Sequence, residues 1–267
     1  MSYVEGSRYG GNTSCMTVES EGRSIIIDAG SGIMLLEKEL LASNQSWPAY
    51  NVLLSHLHMD HTVGFGTFAQ IWNKDNKMKI FTCTRTEKPL KEQVFEVFNP
   101  PNWPASLVKA PGVSCVPVEG GVPFTIDHFT ITPLIANHPD KTLSFHINDG
   151  KKVFVHLLDS ETSDMDTKRY DELIQLCRGA DLVAFDSSYS SEDYHKFRGW
   201  GHSTVEQGVK LARDCKPKRM LFSHFAQQYS DDQIDSWTRY YDKEPCSEFI
   251  MARDGLEILS DWRYYCK

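Results

Sequence analysis

The sequence predicts an α/β protein built as a four-layer αββα sandwich, with two sheets inside and helices outside. Three observations carry that expectation. Short apolar runs alternate with amphipathic segments along the whole chain. These segments form two β-rich halves, each followed by helical patterns. Residues able to do chemistry cluster directly after the apolar runs, where α/β sheets usually place their ligands. No linker, low-complexity tract or short-period repeat interrupts the 267 residues. Residues 1–267 are therefore expected to form one domain.

Taken in order, Met16–Ser20 and Ser24–Asp28 read as a hairpin of strands turning at Glu21-Gly22. Asp28-Ala-Gly-Ser-Gly32 is a glycine-rich turn into a helix from Ile33 to about Ala42. Asn51-Val-Leu-Leu54 is a buried strand, and a helix is expected from Phe65 to about Trp72. Lys79–Cys83 is a strand, and Pro89–Phe98 has helical spacing until Asn99-Pro-Pro-Asn-Trp-Pro104 breaks it. Residues 99–112 form an irregular loop, read either as a connector or as a wall of a substrate cleft with Phe98 or Trp103 as a platform. Val113–Val118, Phe129–Ile135, Leu143–Asn148 and Lys152–Leu158 are β-rich, with a hairpin turn at Asp149-Gly150. Thr167–Cys177 is an amphipathic helix and Asp181–Phe185 a strand. Ser203-Thr-Val-Glu206 is a capping-box pattern that opens a helix through Arg213. Lys218–Ser223 is a strand and Asp231–Tyr241 a helix.

The stretch with the most chemistry is Ser55-His56-Leu57-His58-Met59-Asp60-His61. Following a strand, His56 and His58 can point the same way and grip one metal ion. Asp60 and His61 can then serve a second. The second half supplies partners at its strand ends: His138, Asp159 and His224. Both oxygens of Asp159 can bridge two ions, with His138 completing the first and His224 the second. Imidazole and carboxylate donors suit zinc, manganese or iron. The expected cofactor is two divalent ions, zinc before manganese or iron.

Composition limits the setting. The net charge is −8, which argues against a large polyanionic partner but not against a small phosphate ester. The N-terminal Met1–Arg8 has no apolar signal core, and no run is long enough to cross a bilayer. Seven cysteines without a CxxC pair suggest reduced thiols. A cytoplasmic protein without a membrane partner is expected.

The motifs together resemble the metallo-β-lactamase-fold hydrolases, in the branch of ribonuclease Z and the cyclic-nucleotide phosphodiesterases. They are Gly10-Gly-Asn-Thr-Ser-Cys15, Ile27-Asp-Ala-Gly-Ser-Gly32, His56-Leu-His-Met-Asp-His61, His138, Asp159, Gly201-His-Ser-Thr204 and Leu221-Phe-Ser-His224. The resemblance implies the αββα fold and a dinuclear site. It assigns His56, His58 and His138 to one ion, and Asp60, His61 and His224 to the other, with Asp159 shared. The His-Ser-Thr motif implies phosphodiester hydrolysis. His202 is then expected to act on the phosphate or the leaving oxygen. Asp186 is expected to orient His202, and Asp60 can handle a proton.

The expected substrate is a small phosphodiester such as a cyclic nucleotide. Ribonuclease Z proteins carry a long basic arm, and no such insertion occurs here. With the acidic charge, this argues against a nucleic-acid partner. The alternatives are a lactone or thioester hydrolase on the same fold, or a tRNA 3′-processing endonuclease. Proteins of this branch are commonly dimers, so a homodimer is the implied assembly. Trp200 and Tyr189 are candidates to stack on a base, Asn12 and Ser14 to contact phosphate, and His195 to line the cleft. His146 and His156 are expected to be structural.

Overall fold

A computed structural model describes residues 7–43, 47, 49–259, 261 and 264–266. The chain packs as two compact units, residues 12–122 and residues 1–11 with 123–267.

In the first unit, β1 (Met16–Ser20), β2 (Arg23–Ile27), β3 (Tyr50–Leu53), β4 (Met78–Thr82) and β5 (Val113–Pro117) form one sheet in that order. β1 and β2 are the expected hairpin, and Glu21 and Gly22 both have positive φ, as a two-residue turn of this hand requires. β2 to β5 are parallel. β3 is buried along its whole length, the mark of a central parallel strand. Helix α1 (Ile33–Ala42) packs Ile33, Leu36 and Leu40 into a core with Ile26, Val52, Phe65 and Ile80.

The second unit carries a seven-stranded sheet. β6 (Phe124–Ile126), β7 (Phe129–Ile135), β8 (Leu143–Asn148) and β9 (Val153–Leu157) form an antiparallel meander. β10 (Leu182–Asp186), β11 (Arg219–Ser223) and β12 (Glu248–Met251) then continue parallel to β9. Helices α4 (Thr167–Cys177) and α5 (Val205–Cys215) bury Leu173, Val209 and Leu211 with Val155, Phe185 and Phe222. A small pair, β13 (Leu256–Ile258) with β14 (Tyr264–Cys266), follows.

Several boundaries differ from expectation, each for a local reason. In place of the helix expected over Phe65–Trp72 there are two 3₁₀ turns, Val63–Gly66 and Ala69–Trp72, which follow a short α2 (Met59–Thr62). Gly64 and Gly66 in that stretch weaken a continuous helix. Pro89–Phe98 yields only α3 (Leu90–Val94). Asp231–Tyr241 splits into α6 (Asp231–Ser236) and a 3₁₀ turn. The capping box before α5 sits one residue later than expected: Thr204 caps and Gln207 answers it. Ser203 is already committed, its Oγ donating to the Ser160 carbonyl at 2.7 Å. Phe98 is a core residue rather than a platform, and Trp103 packs on Phe98 at 5.6 Å. No helix among the described residues is long and apolar enough to cross a membrane.

Candidate metal and catalytic centre

In the first unit the donors sit on the connection that follows β3. Ser55 and His56 are fully buried, His58 is exposed and directly precedes α2 as its N-cap, and His61 lies inside α2 and is buried. The imidazole centroids of His56 and His58 are 4.4 Å apart, and those of His56 and His61 are 4.3 Å apart. Asp60 Oδ2 lies 3.3 Å from His61 Nε2. The four sequence-predicted residues of this loop are therefore brought together.

What holds them is a residue to which no role was assigned from sequence. Asp28, directly after β2, is fully buried and has a positive φ of 60°. Its Oδ2 accepts from His61 Nδ1–H at 2.7 Å and from Ser55 Oγ at 3.0 Å, while Oδ1 accepts from Ser55 N–H at 2.8 Å. Ser55 Oγ in turn accepts from His56 Nδ1–H at 3.0 Å. One carboxylate thus fixes two rings through their Nδ1 atoms, His61 directly and His56 by way of Ser55. The approach of the two loops demands glycine. A Cβ on Gly30 would stand 2.1 Å from the Asp60 carbonyl oxygen. Ser14 Oγ also donates to Asp28, and Asn12 Oδ1 accepts from Ser31 Oγ. Both are part of this scaffold.

In the second unit, three adjacent parallel strands deliver Asp159, Asp186 and His224 at their C-terminal ends. Asp159 and His224 both have left-handed backbone, at φ 51° and 67°. Asp and His tolerate that region better than most residues. Asp159 Oδ1 lies 4.0 Å from His138 Nε2, and its Oδ2 lies 3.5 Å from His224 Nε2. The two oxygens of one carboxylate therefore face two different imidazoles. His138 Nδ1 has Thr142 Oγ1 at 3.0 Å, and His224 Nδ1–H donates to Ser188 Oγ at 3.0 Å. Again a hydroxyl stands at Nδ1, and Nε2 is the nitrogen turned to Asp159.

Asp186 is fully buried and accepts from four donors: His202 Nδ1–H at 2.9 Å and the backbone N–H groups of Asp159, Ser188 and Ser203 at 3.0–3.1 Å. Burial pushes its carboxyl up, but His202 and His224 beside it hold it well below the usual carboxylate range. Burial pushes the His202 imidazole down, and the Asp186 carboxylate more than offsets this, so the net shift is upward. Ser160, Ser188 and Thr142 escaped the sequence reading because single hydroxyl residues carry no pattern.

Asp159, Asp186, His202 and His224 each place a ligand atom within 4.8 Å of the others. Tyr189 is buried, stacked on Phe197 at 4.1 Å and edge-on to His202 at 5.7 Å, which makes it a wall rather than a stacking platform. The burial and Asp186 raise its phenol to about 12. Trp200 is 59% exposed. His195 is exposed, with Nδ1–H donating to the Glu192 carbonyl. His156 is buried in β9.

The donor chemistry fits divalent cations. Imidazoles oriented through Nδ1 by carboxylate or hydroxyl partners, together with carboxylates, are the ligand set of zinc and related ions.

Comparison with known proteins agrees. Ribonuclease Z 2, mitochondrial, of Schizosaccharomyces pombe is 26% identical over 91% of this chain, which spans 35% of that protein's length. Ribonuclease Z of Gemmatimonas aurantiaca is 22% identical over 92% of this chain and 89% of its own. Among solved structures, the metallo-β-lactamase fold protein YhfI of Bacillus subtilis matches with a TM-score of 0.69 at 20% identity, covering 97% of this chain and 96% of that one. Human short-form tRNase Z matches with a TM-score of 0.64 at 20% identity, covering 95% and 93%. These relatives overturn the expectation that nucleic acid is not a partner, since proteins named for ribonuclease action are similar over nearly the whole chain. The net charge misled because it is a sum: phosphate contacts depend on where the 28 Lys and Arg residues stand, not on their excess or deficit. Residues 23–225 match the β-lactamase superfamily domain, and the chain belongs to that family as a metal-dependent hydrolase of the metallo-β-lactamase fold.

Proposed function

We propose that this protein is a metal-dependent phosphodiesterase whose substrate is an RNA strand, cleaved as in tRNA 3′ processing. The observation that carries the phosphodiester reading is the Asp186–His202 pair, held at 2.9 Å beside Asp159 and His224. The ribonuclease Z relatives support RNA as the strand. In this reading residues 1–267 work as one catalytic domain. His56, His58, His138, Asp60, His61, His224 and Asp159 would hold two divalent ions, zinc first. Such ions supply Lewis acidity to a water and to the phosphate oxygens.

The chain's own groups then handle the protons. Water oxygen bonds to phosphorus while the bond from phosphorus to the leaving oxygen breaks, its electron pair staying on that oxygen. Asp60, with 41% of its side chain exposed, takes the proton from the water. His202 gives its proton to the leaving oxygen, and Asp186 stabilises the imidazolium before it does so. Among the described residues Cys15, Cys115, Cys177, Cys215 and Cys246 are thiols outside any disulfide, in keeping with a reducing cytoplasm.

The test is cleavage of a labelled precursor tRNA with a 3′ trailer, after chelation and again with zinc or manganese restored. Bis(p-nitrophenyl) phosphate, 2′,3′- and 3′,5′-cyclic nucleotides, a lactone and a thioester run alongside. Metal-restored cleavage at the trailer supports the proposal. Turnover of cyclic nucleotides with RNA left intact replaces RNA by a small phosphodiester. Turnover confined to the lactone or thioester removes phosphodiester chemistry. His202→Ala is expected to lower turnover roughly 10²- to 10⁴-fold with metal content intact; unchanged turnover would remove His202 from the mechanism.

A further inference from the structure

Glu161 lies two residues beyond Asp159, is 2% exposed, and has no part in the scheme above. A carboxylate is costly to bury unless donors surround it. Here they do. Both oxygens of Glu161 accept from the Gly199 N–H at 2.9 Å, Oε2 accepts from the Gly201 N–H at 3.0 Å, and the Tyr194 hydroxyl donates to Oε1. The backbone of Glu161 is tied to a second loop. Its N–H donates to the Asn137 carbonyl at 2.9 Å, and Asn137 Nδ2 donates to the Glu161 carbonyl at 2.8 Å.

Asn137 precedes His138, and Gly201 precedes His202. One residue therefore joins the strap that carries His202 to the loop that carries His138. The far side of His202 is held by the same segment: Thr162 N–H donates to Ser203 Oγ at 3.1 Å, and Ser203 Oγ donates to the Ser160 carbonyl. The strap also has little room to shift. Gly199 and Gly201 have φ of 83° and 89°, and a Cβ on Gly201 would stand 2.1 Å from His138 Cδ2.

We propose that Glu161 is a positioning residue: its carboxylate anchors Gly199–Gly201 so that His202 stands where it can hand its proton to the leaving oxygen. This rests on the reading of His202 given above. The strap would otherwise be only a stability element, and the two roles differ in how they depend on the leaving group. A good leaving group departs without help from a proton donor, whereas a poor one needs it.

The experiment compares methyl p-nitrophenyl phosphate with methyl phenyl phosphate, for the metal-loaded wild type, His202→Ala, Glu161→Ala, Glu161→Gln and the His202→Ala/Glu161→Ala pair. Metal content, melting temperature and KM are measured for each. His202→Ala should lose roughly 10²-fold or more in kcat on the phenyl ester and much less on the p-nitrophenyl ester. Glu161→Ala should show the same skew, about 10-fold or more on the phenyl ester, with KM and metal content unchanged. The double variant should be no slower than His202→Ala alone, because residues acting through one step are not additive. Glu161→Gln keeps the volume but turns an amide N–H toward a backbone N–H. It should therefore show the skew even if the alanine variant fails to fold. Equal loss on both esters, or losses that add in the double variant, would overturn the proposal. No skew in His202→Ala would instead remove the proton-donor role of His202, and the role of Glu161 with it.

Discussion

The two donor sets are built in opposite ways. The set in residues 12–122 comes from one connection, His56 to His61, and is organised by a single carboxylate behind it, Asp28. The set in residues 123–267 is gathered from the ends of three parallel strands and two loops, and its organiser, Asp186, is itself at a strand end. Asp28 binds a histidine ring and the backbone and hydroxyl of Ser55. Asp186 binds a histidine ring and three backbone N–H groups from three segments. A contiguous site needs one support. A dispersed site needs a buried acceptor that several segments share, because each segment brings its own donor to satisfy.

This contrast predicts different failures. Asp28→Asn should lower metal affinity about 10- to 100-fold, since the ring of His61 loses its charged orienting partner. Asp186→Asn should lower turnover far more than metal content, because His224 retains Ser188 as its Nδ1 partner. Metal titration and kinetics on both proteins check this, and equal metal loss in the two would dissolve the distinction. The next effect concerns backbone space. Gly201→Ala should destabilise by about 2 kcal/mol or more, from strain at positive φ plus the collision with His138. Gly121→Ala has the strain but nothing within 4 Å, and should cost about 1 kcal/mol. Denaturant midpoints compare them.

Smaller still is the helix cap. Thr204→Ala removes the acceptor for Gln207 N–H and should cost about 1 kcal/mol, with metal content unchanged. The smallest effect is a pH dependence away from either set. Burial pushes Asp181 up, but the Lys218 ammonium and the Val153 N–H hold it, on balance, below its ordinary 3.8. A depressed carboxyl stabilises the fold above its unfolded pKa, and that stability is lost as pH falls through the folded value. Asp181→Asn should therefore flatten the loss of stability below about pH 4, by less than about 1 kcal/mol. Identical acid unfolding curves for the two proteins would contradict this.

The same contrast explains what could be read early. His56-Leu-His-Met-Asp-His61 is local, so its spacing alone marked it, and Glu21-Gly22 marked its turn in the same way. His138, Asp159 and His224 were each legible only as a single residue after an apolar run, and were joined to the loop by their common place at strand ends and by their donor chemistry. Asp28 stood inside a recognised glycine-rich turn, yet its partner His61 lies 33 residues away. Glu161 had no signal, since its partners are backbone N–H groups, which no sequence pattern records. The boundaries that moved, at Phe65–Trp72 and Asp231–Tyr241, did so in short segments, where one or two glycines or a local contact outweigh the apolar spacing.

By itself the sequence determined the α/β class, the alternation of strands and helices, and the residue types that can bind cations, because these depend on local periodicity and on side-chain chemistry. Tertiary structure alone decided which nitrogen each imidazole offers, which carboxylates orient and which face the rings, and how Glu161 ties two loops together. Those outcomes depend on hydrogen bonds between residues distant in the chain, and such bonds exist only once the strands are in register.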